Sequence, residues 1–414
     1  MKILGVTAEY NPFHNGHEYH LKRAKELTGT DYTVVCMSGN FVQRGEPAFM
    51  DKWTRSRIAV RCGADLVVEL PFIFACNRAE HFAGGAVDTL VSLGVTHISF
   101  GCEAENEEAL RRLARKMVVG FKELEPAVAE LMKEHGISRA KAHELTVIKM
   151  SANKKEAAQN AEIISNPNNI LALEYLKRME FHRAEGRFIA DVPVLRYGSG
   201  YYDVGKGFAG AAEIRKMDSE DVVAEYVPAA TLEEAGDIVS QKKSHDRTRE
   251  KAFEILRSRI LVSSAEELAG IYCVGEGLEN RLKREIVPAA SMEDLIERMV
   301  SKRYTAATIK RILNYIILNV RGCEADSILE GGVQYARVLA AGAGGRELLN
   351  RIKKEERAQV PVLTNINREI PKDADDRFRM MLLNDIKSSD MFNLMMERSL
   401  YGYSDRVVKP YIQP

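Results

Sequence analysis

The sequence predicts an α/β protein: a parallel sheet covered by helices and broken by a helical insertion, then a helical domain, then a small C-terminal α/β region. Three observations carry this. Short apolar runs alternate with helical stretches through the first hundred residues, as a buried parallel sheet requires. Several of those runs end in small or polar residues, as expected if a ligand lies beyond the carboxyl ends of the strands. Residues 229–330 keep helical spacing almost throughout, and residues 331–414 return to a mixed pattern.

Taken in order, residues 3–6 form a first buried strand. Leu21, Ala24 and Leu27 then recur at helical spacing among Lys22, Arg23, Lys25 and Glu26. Residues 32–37 form a second strand, ending in Ser38-Gly39-Asn40. Residues 51–61 read as a helix closed by Gly63, with Lys52 and Arg55 on one face expected to be solvated. Residues 66–70 form a third strand stopped by Pro71, with Glu69 near its end. Residues 80–93 are helical, and residues 96–100 form a fourth strand ending at Gly101. A charged helical insertion follows over about residues 103–165. Asn166, Asn168 and Asn169 surround Pro167 before another helix; three asparagines exceed what one cap needs. Residues 188–195 form a fifth strand, with Arg196 at its end on the ligand edge. A Gly-rich approach over residues 205–210 leads to a helix carrying Arg215, whose charge suits a triphosphate. The first domain closes at residue 228, giving boundaries of 1–228, 229–330 and 331–414. In the last region residues 335–340 form a strand, and Pro361 marks residues 360–363 as an edge strand.

The 414 residues are 45% hydrophobic and 29% charged, so the chain is expected to be globular with ample core. Lys and Arg number 59, as do Asp and Glu. Global charge therefore offers nucleic acid no attraction, and any such surface must be a local patch. Six cysteines without a CxxC pair predict reduced thiols and a cytoplasmic setting, and argue against a zinc ribbon. No apolar run is long enough to span a membrane, and Met1 leads straight into the first strand without a signal peptide.

The chemistry centres on Glu9-Tyr10-Asn11-Pro12-Phe13-His14-Asn15-Gly16-His17, a strand-to-helix turn. A helix N-terminus offers free N–H groups and a positive dipole, and attracts phosphate. His14 and His17, three residues apart, can both reach a phosphate there and hold charge that builds on phosphorus and leaving pyrophosphate. A histidine pair by itself is often only polar surface or half a metal site. Here the strand before, the helix after and the fixed entry at Pro12 favour catalysis, and no acidic or cysteine cluster completes a metal set. The turn is expected near the surface, with Gly16 leaving room for a nucleotide. Arg44, beside Gly45 in the loop after the second strand, could swing onto a phosphate; an ordinary solvated arginine is the equal alternative.

The turn resembles the HxGH signature of the nucleotidyltransferase superfamily, which implies a Rossmann-like domain shared with class I aminoacyl-tRNA synthetases. More of the chain resembles one family, the bacterial tRNA-Met cytidine acetate ligases. The matching segments are residues 6–20, 37–47, 65–71, 167–171, 276–281, 302–305 and 335–339, the first two being the most specific. The resemblance implies ATP contacts at Thr7, Ala8, Glu9, Tyr10, Asn11, Pro12, Phe13, His14, Asn15, Gly16, His17, Glu18, Tyr19 and His20. It adds Gly101, Asn168, Arg196 and Tyr197. The sequence departs from the family's hydroxyl-rich late helix at Ala209-Gly210-Ala211-Ala212-Glu213-Ile214-Arg215, where only Arg215 remains to hold phosphate.

The implied reaction joins ATP and acetate into acetyl-adenylate, then acetylates the wobble cytidine of elongator tRNA-Met. ATP is a substrate, no resident metal is expected, and Mg2+ is left open. Basic clusters at Arg281, Lys283 and Arg284, and at Lys302, Arg303, Lys310 and Arg311, are candidate tRNA contacts; a solvated helix face is the plainer reading. Two rivals remain: an adenylyltransferase acting on a small phosphorylated substrate, and a non-catalytic tRNA-binding protein with a decayed nucleotide site.

Overall fold

The computed structural model describes residues 1–104, 106–195 and 207–413. Arg196, Tyr197 and the start of the Gly-rich approach lie outside the described residues. The sheet begins with β1 (Ile3–Ala8), β2 (Tyr32–Ser38), β3 (Leu66–Leu70), β4 (His97–Cys102) and β5 (Ala190–Leu195), all paired in parallel. β6 (Ala336–Ala341), β7 (Val362–Leu363) and β8 (Tyr411–Ile412) complete it. The order is β5-β4-β1-β2-β3-β6-β7, with β8 also on β6. The chain builds outward from β1 to β3, then returns to the other side of β1 with β4 and β5. The topological switch therefore lies between β1 and β4, and the histidine turn follows β1 directly.

Alternating side chains of these strands feed two cores, as the period of two in a strand requires. Leu4, Val6, Val35, Met37 and Val67 pack with Leu21, Ala24, Ile58 and Ala59 of helices Asn15–Thr28 and Lys52–Arg61. Ile3, Val34, Cys36, Leu66 and Val68 face the opposite way, toward Ala83, Ala86, Val87 and Leu90 of helix Ala79–Ser92. The expected insertion is four helices: Glu107–Val119, Phe121–His135, Arg139–Lys149 and Lys154–Ser165.

The C-terminal strands extend the first sheet. β6 runs antiparallel to β3 with Arg337 opposite Glu69, and β7 takes an edge. Helix Asp376–Met395 packs on the short helix Phe72–Ala75 and on helices Ile238–Val262 and Ala306–Leu318. It thereby ties the sheet to the helical region. Among the described residues no helix is long and apolar enough to cross a membrane.

Candidate active site

His14 is the N-cap of helix Asn15–Thr28, and its Nδ1 accepts from the Gly16 N–H at 3.1 Å. Three residues on, the Nδ1 of His17 accepts from the His14 N–H at 3.3 Å. Together they make a capping box with imidazoles in place of the usual hydroxyl and carboxylate. The rings stack with centroids 3.6 Å apart. Each Nδ1 accepts an N–H, so each neutral ring carries its proton on Nε2 and can donate there. The three-residue spacing is thus what joins cap and stack. A Cβ at residue 16 would stand 3.0 Å from the His14 ring and press on the imidazole that caps the helix.

The turn is not the surface feature expected. His14 is 5% exposed, and Tyr10 and Phe13 are buried beneath it, their rings 4.6 Å apart. The apolar Tyr10 and Phe13, which the motif carries between strand and helix, pull the turn into the core.

Neighbouring motif residues fasten the turn. Asn15 Nδ2 donates to the carbonyls of Gly207 and Glu225 at 2.8 and 3.1 Å, drawing the late segment over the helix start. The Phe49 N–H donates to Asn11 Oδ1 at 2.6 Å. His20 Nε2 meets Ser99 Oγ of β4 at 2.8 Å, bridging the switch point, and Tyr19 stands edge-on to Phe208. Thr7 and Ala8 end β1, and Gly101 lies near the end of the adjacent β4. Glu18 is exposed and Pro12 is buried.

Two cations converge on this turn. Arg215 Nη1 donates to the Asn11 carbonyl and has no carboxylate hydrogen bond among the described residues. Arg44 is exposed and close enough for its charge to act on both Arg215 and Glu9. Burial lowers the Arg215 pKa, and burial raises that of Glu9, whose Oε1 accepts from the Gln43 N–H at 2.7 Å. Glu213 of the altered late segment accepts from the Gly210 N–H at 2.8 Å, and so caps its own short helix.

The asparagine cluster reaches the loop after β4. Asn169 Oδ1 accepts from the N–H groups of Glu103 and Ala104 at 2.9 and 3.1 Å, and Asn166 and Asn168 donate to the Glu103 carboxylate. Asn166 also caps helix Pro167–Ala184, so Asn168 sits in the first turn of that helix.

Two expectations are corrected. Lys52 and Arg55 do not face solvent; both are fully buried. Lys52 Nζ pairs with Glu69 and Asp405, each at 2.7 Å. Arg55 donates to the carbonyls of Glu9, Ser38, Gly39 and Met50, clamping the chain beyond β1 to the chain beyond β2. Glu69 and Asn40 likewise serve internal contacts: Asn40 Oδ1 accepts from the Lys52 N–H at 2.8 Å and Glu69 holds Lys52. Of the strand ends expected to meet a ligand, those of β1 and β4 flank the switch point. What sequence reasoning misses at Arg55 is this clamp, because backbone carbonyls leave no mark in a sequence.

Several basic residues of the helical region make internal contacts. Lys310 pairs with Glu46, and Arg311 donates to the carbonyls of Gln43 and Asn77 at 3.2 and 3.3 Å. Both hold the loop that carries Arg44. Gly45 in that loop has φ +77°, and a Cβ there would stand 2.5 Å from the Arg311 nitrogen. Arg281 donates to the Arg298 carbonyl, Lys283 to the last carbonyls of helix Ile238–Val262, and Arg303 pairs with Glu276. Arg284 remains 71% exposed beside Glu285, and Lys302 is exposed. Among the described residues, no group of three His, Cys, Asp or Glu is placed to hold a metal ion.

Residues 1–405 match the model of the HIGH nucleotidyl transferase family. A protein of Thermoanaerobacter sp. (strain X514), named tRNA(Met) cytidine acetate ligase, is 37% identical over 96% of both chains. One of the same name from Acetivibrio thermocellus is 34% identical over 95% of this chain and 94% of its own. The apo crystal structure of Thermotoga maritima TmcAL superposes with a TM-score of 0.87 at 30% identity, covering all of both chains. A second crystal structure of that protein, bound with alpha-thio ATP, gives 0.86.

Proposed function

The chain belongs to the HIGH nucleotidyltransferase family and, within it, to the tRNA(Met) cytidine acetate ligases; from that premise we propose how its residues carry the reaction. ATP and acetate give acetyl-adenylate and pyrophosphate. The acetyl group then passes to the N4 amine of the wobble cytidine of elongator tRNA-Met, and AMP leaves. The observation that carries this reading is the stacked His14/His17 cap at the switch between β1 and β4, with Arg44 and Arg215 beside it.

In the first step an acetate oxygen attacks the α-phosphorus, and the bond to the bridging oxygen of pyrophosphate breaks. The Nε2–H groups of His14 and His17 donate to the phosphate oxygens as charge builds there. The start of helix Asn15–Thr28 adds its dipole. Arg215 and Arg44 neutralise the leaving polyphosphate. Mg2+ carried in with ATP would offset further charge on that polyphosphate, beside Arg44 and Arg215. In the second step the cytidine amine attacks the acyl carbon of the mixed anhydride, AMP departs and the amine loses a proton. No enzyme nucleophile is needed, and positioning with electrostatics supplies the rate.

ATP contacts along Thr7–His20 and at Gly101, Asn168, Arg196 and Tyr197 are part of the proposal. The exposed Arg284 and Lys302 are its first candidates for tRNA phosphates. Lys310 and Arg311 are assigned to seating the Arg44 loop. Both ATP and tRNA are cytoplasmic, and so is the proposed site of action.

The test is mass spectrometry of tRNA nucleosides after incubation with ATP, labelled acetate and tRNA-Met. Labelled N4-acetylcytidine supports the reading. An AMP moiety transferred to a small phosphorylated acceptor, with no acetylated nucleoside, refutes it.

A further inference from the structure

In the second step the cytidine amine sheds a proton as it becomes an amide nitrogen. The histidine pair is not set up to take it: each Nδ1 accepts a backbone N–H, and each Nε2 carries the proton that it donates. Arg44 and Arg215 are cations with donors only. The proton needs an open acceptor at the same strand end.

Glu9 is placed for it. It follows β1 directly and so stands on the β1 side of the switch point. Its carbonyl accepts from Arg55 Nη1 at 2.6 Å, which fixes the main chain there. Its Oε1 accepts from the Gln43 N–H at 2.7 Å. Its Oε2 makes no hydrogen bond among the described residues, and it is not one of the polar atoms sealed from solvent without a partner. The residue as a whole is half-buried. One carboxylate oxygen is therefore anchored while the other is open, as a positioned general base requires.

The charges around Glu9 tie it to the phosphates. Arg55 of helix Lys52–Arg61, Arg44 of the loop after β2 and Arg215 of the late segment all act on its carboxylate. Two further groups feel its charge, Tyr175 of helix Pro167–Ala184 and Cys76 after the short helix Phe72–Ala75. Burial raises the pKa of Tyr175 and pushes that of Cys76 up to about 12, so both stay neutral. Burial also raises the pKa of Glu9, and the Gln43 N–H and the three arginines do not cancel the rise. A carboxylate moved toward the working pH is a stronger base than an ordinary one.

We propose that Glu9 is the catalytic base of the second step, its open Oε2 taking the proton from the cytidine N4. The nitrogen bonds to the acyl carbon, and the bond from that carbon to the AMP oxygen breaks with its electron pair leaving on AMP. The proton passes from N4 to Glu9 and then to water. This role rests on the ligase reading and gives the amine's proton a destination. A Glu9 that only seated the loop through Gln43 would be replaced without loss by glutamine, whose amide oxygen accepts the same N–H.

The experiment gives the full-length enzyme synthetic acetyl-adenylate and tRNA-Met in a single turnover, and reads N4-acetylcytidine by mass spectrometry from acidic to mildly alkaline pH. Wild-type transfer should rise with pH as Glu9 loses its proton, then level off. Glu9→Gln should lower that plateau about a hundredfold, remove the rise, and cost transfer roughly tenfold more than it costs pyrophosphate exchange. Transfer within a few fold of wild type, a rise with the same midpoint in the variant, or equal losses in transfer and exchange overturns the role. Acetylation by wild type in the same samples keeps these outcomes separate from the ligase reading. If wild type forms no acetylcytidine, reading and role fall together.

Discussion

Replacing His14 by asparagine separates two roles that alanine would remove together. The ring accepts from the Gly16 N–H at 3.1 Å as an N-cap, and it stacks on His17. Losing an N-cap acceptor costs about 1 kcal/mol. Losing a buried ring contact costs about 1 kcal/mol more. His14→Ala should therefore lose about 2 kcal/mol of stability, and His14→Asn, a good cap without a ring, about half of that. Neither can donate from Nε2 to a phosphate. Removing one preorganised donor of this kind lowers rate by about a hundredfold or more. Urea denaturation gives the first quantity, and acetate-dependent exchange of labelled pyrophosphate into ATP gives the second. The expected result is two variants that differ in stability and share a large loss of exchange. Exchange within a few fold of wild type in a folded His14→Asn variant would make His14 a cap and nothing more.

Three further outcomes follow from the same geometry. Arg55→Met strands four buried carbonyls, each costing roughly 1–3 kcal/mol, so it should lose more than about 4 kcal/mol in urea denaturation; a loss below about 1 kcal/mol would contradict the clamp. Burial and the Glu69 charge push the Asp385 carboxyl up to about 7, so its proton stabilises the fold fully below the ordinary carboxylate range. That stabilisation is lost as pH rises through about 7, and the stability of wild type minus Asp385→Asn should fall across this window in pH-dependent denaturation; a flat difference would refute the assignment. Arg284→Ala and Lys302→Ala should each lower the salt slope of tRNA affinity by roughly one without altering pyrophosphate exchange; unchanged slopes would make both plain surface.

The parts of the fold legible in the sequence were those written locally. Strands β1 to β5 appear as apolar runs between helices, and the ends of β1 and β4 flank the switch point. The histidine turn was legible by its position, but its capping geometry was not drawn from it. The signal was present: a polar pair at i and i+3 before an amphipathic helix has the form of a capping box. Lys52 and Arg55 look solvated in the sequence because it shows spacing and not partners. The partner Asp405 lies 353 residues away, and the partners of Arg55 are carbonyls. The antiparallel pairing of β6 on β3 was equally hidden, since strand order is decided by contacts far apart in sequence. Lys310 and Arg311 looked like a basic RNA face; the loop they hold comes from the other end of the chain.

The most direct measurement uses ATP, radiolabelled acetate and two elongator tRNA-Met molecules, one natural and one with uridine at the wobble position. Uridine lacks the exocyclic amine that the second step requires. The account predicts one labelled acetyl group on the natural tRNA, dependent on ATP, and none on the uridine form. Equal labelling of the two tRNAs would contradict it.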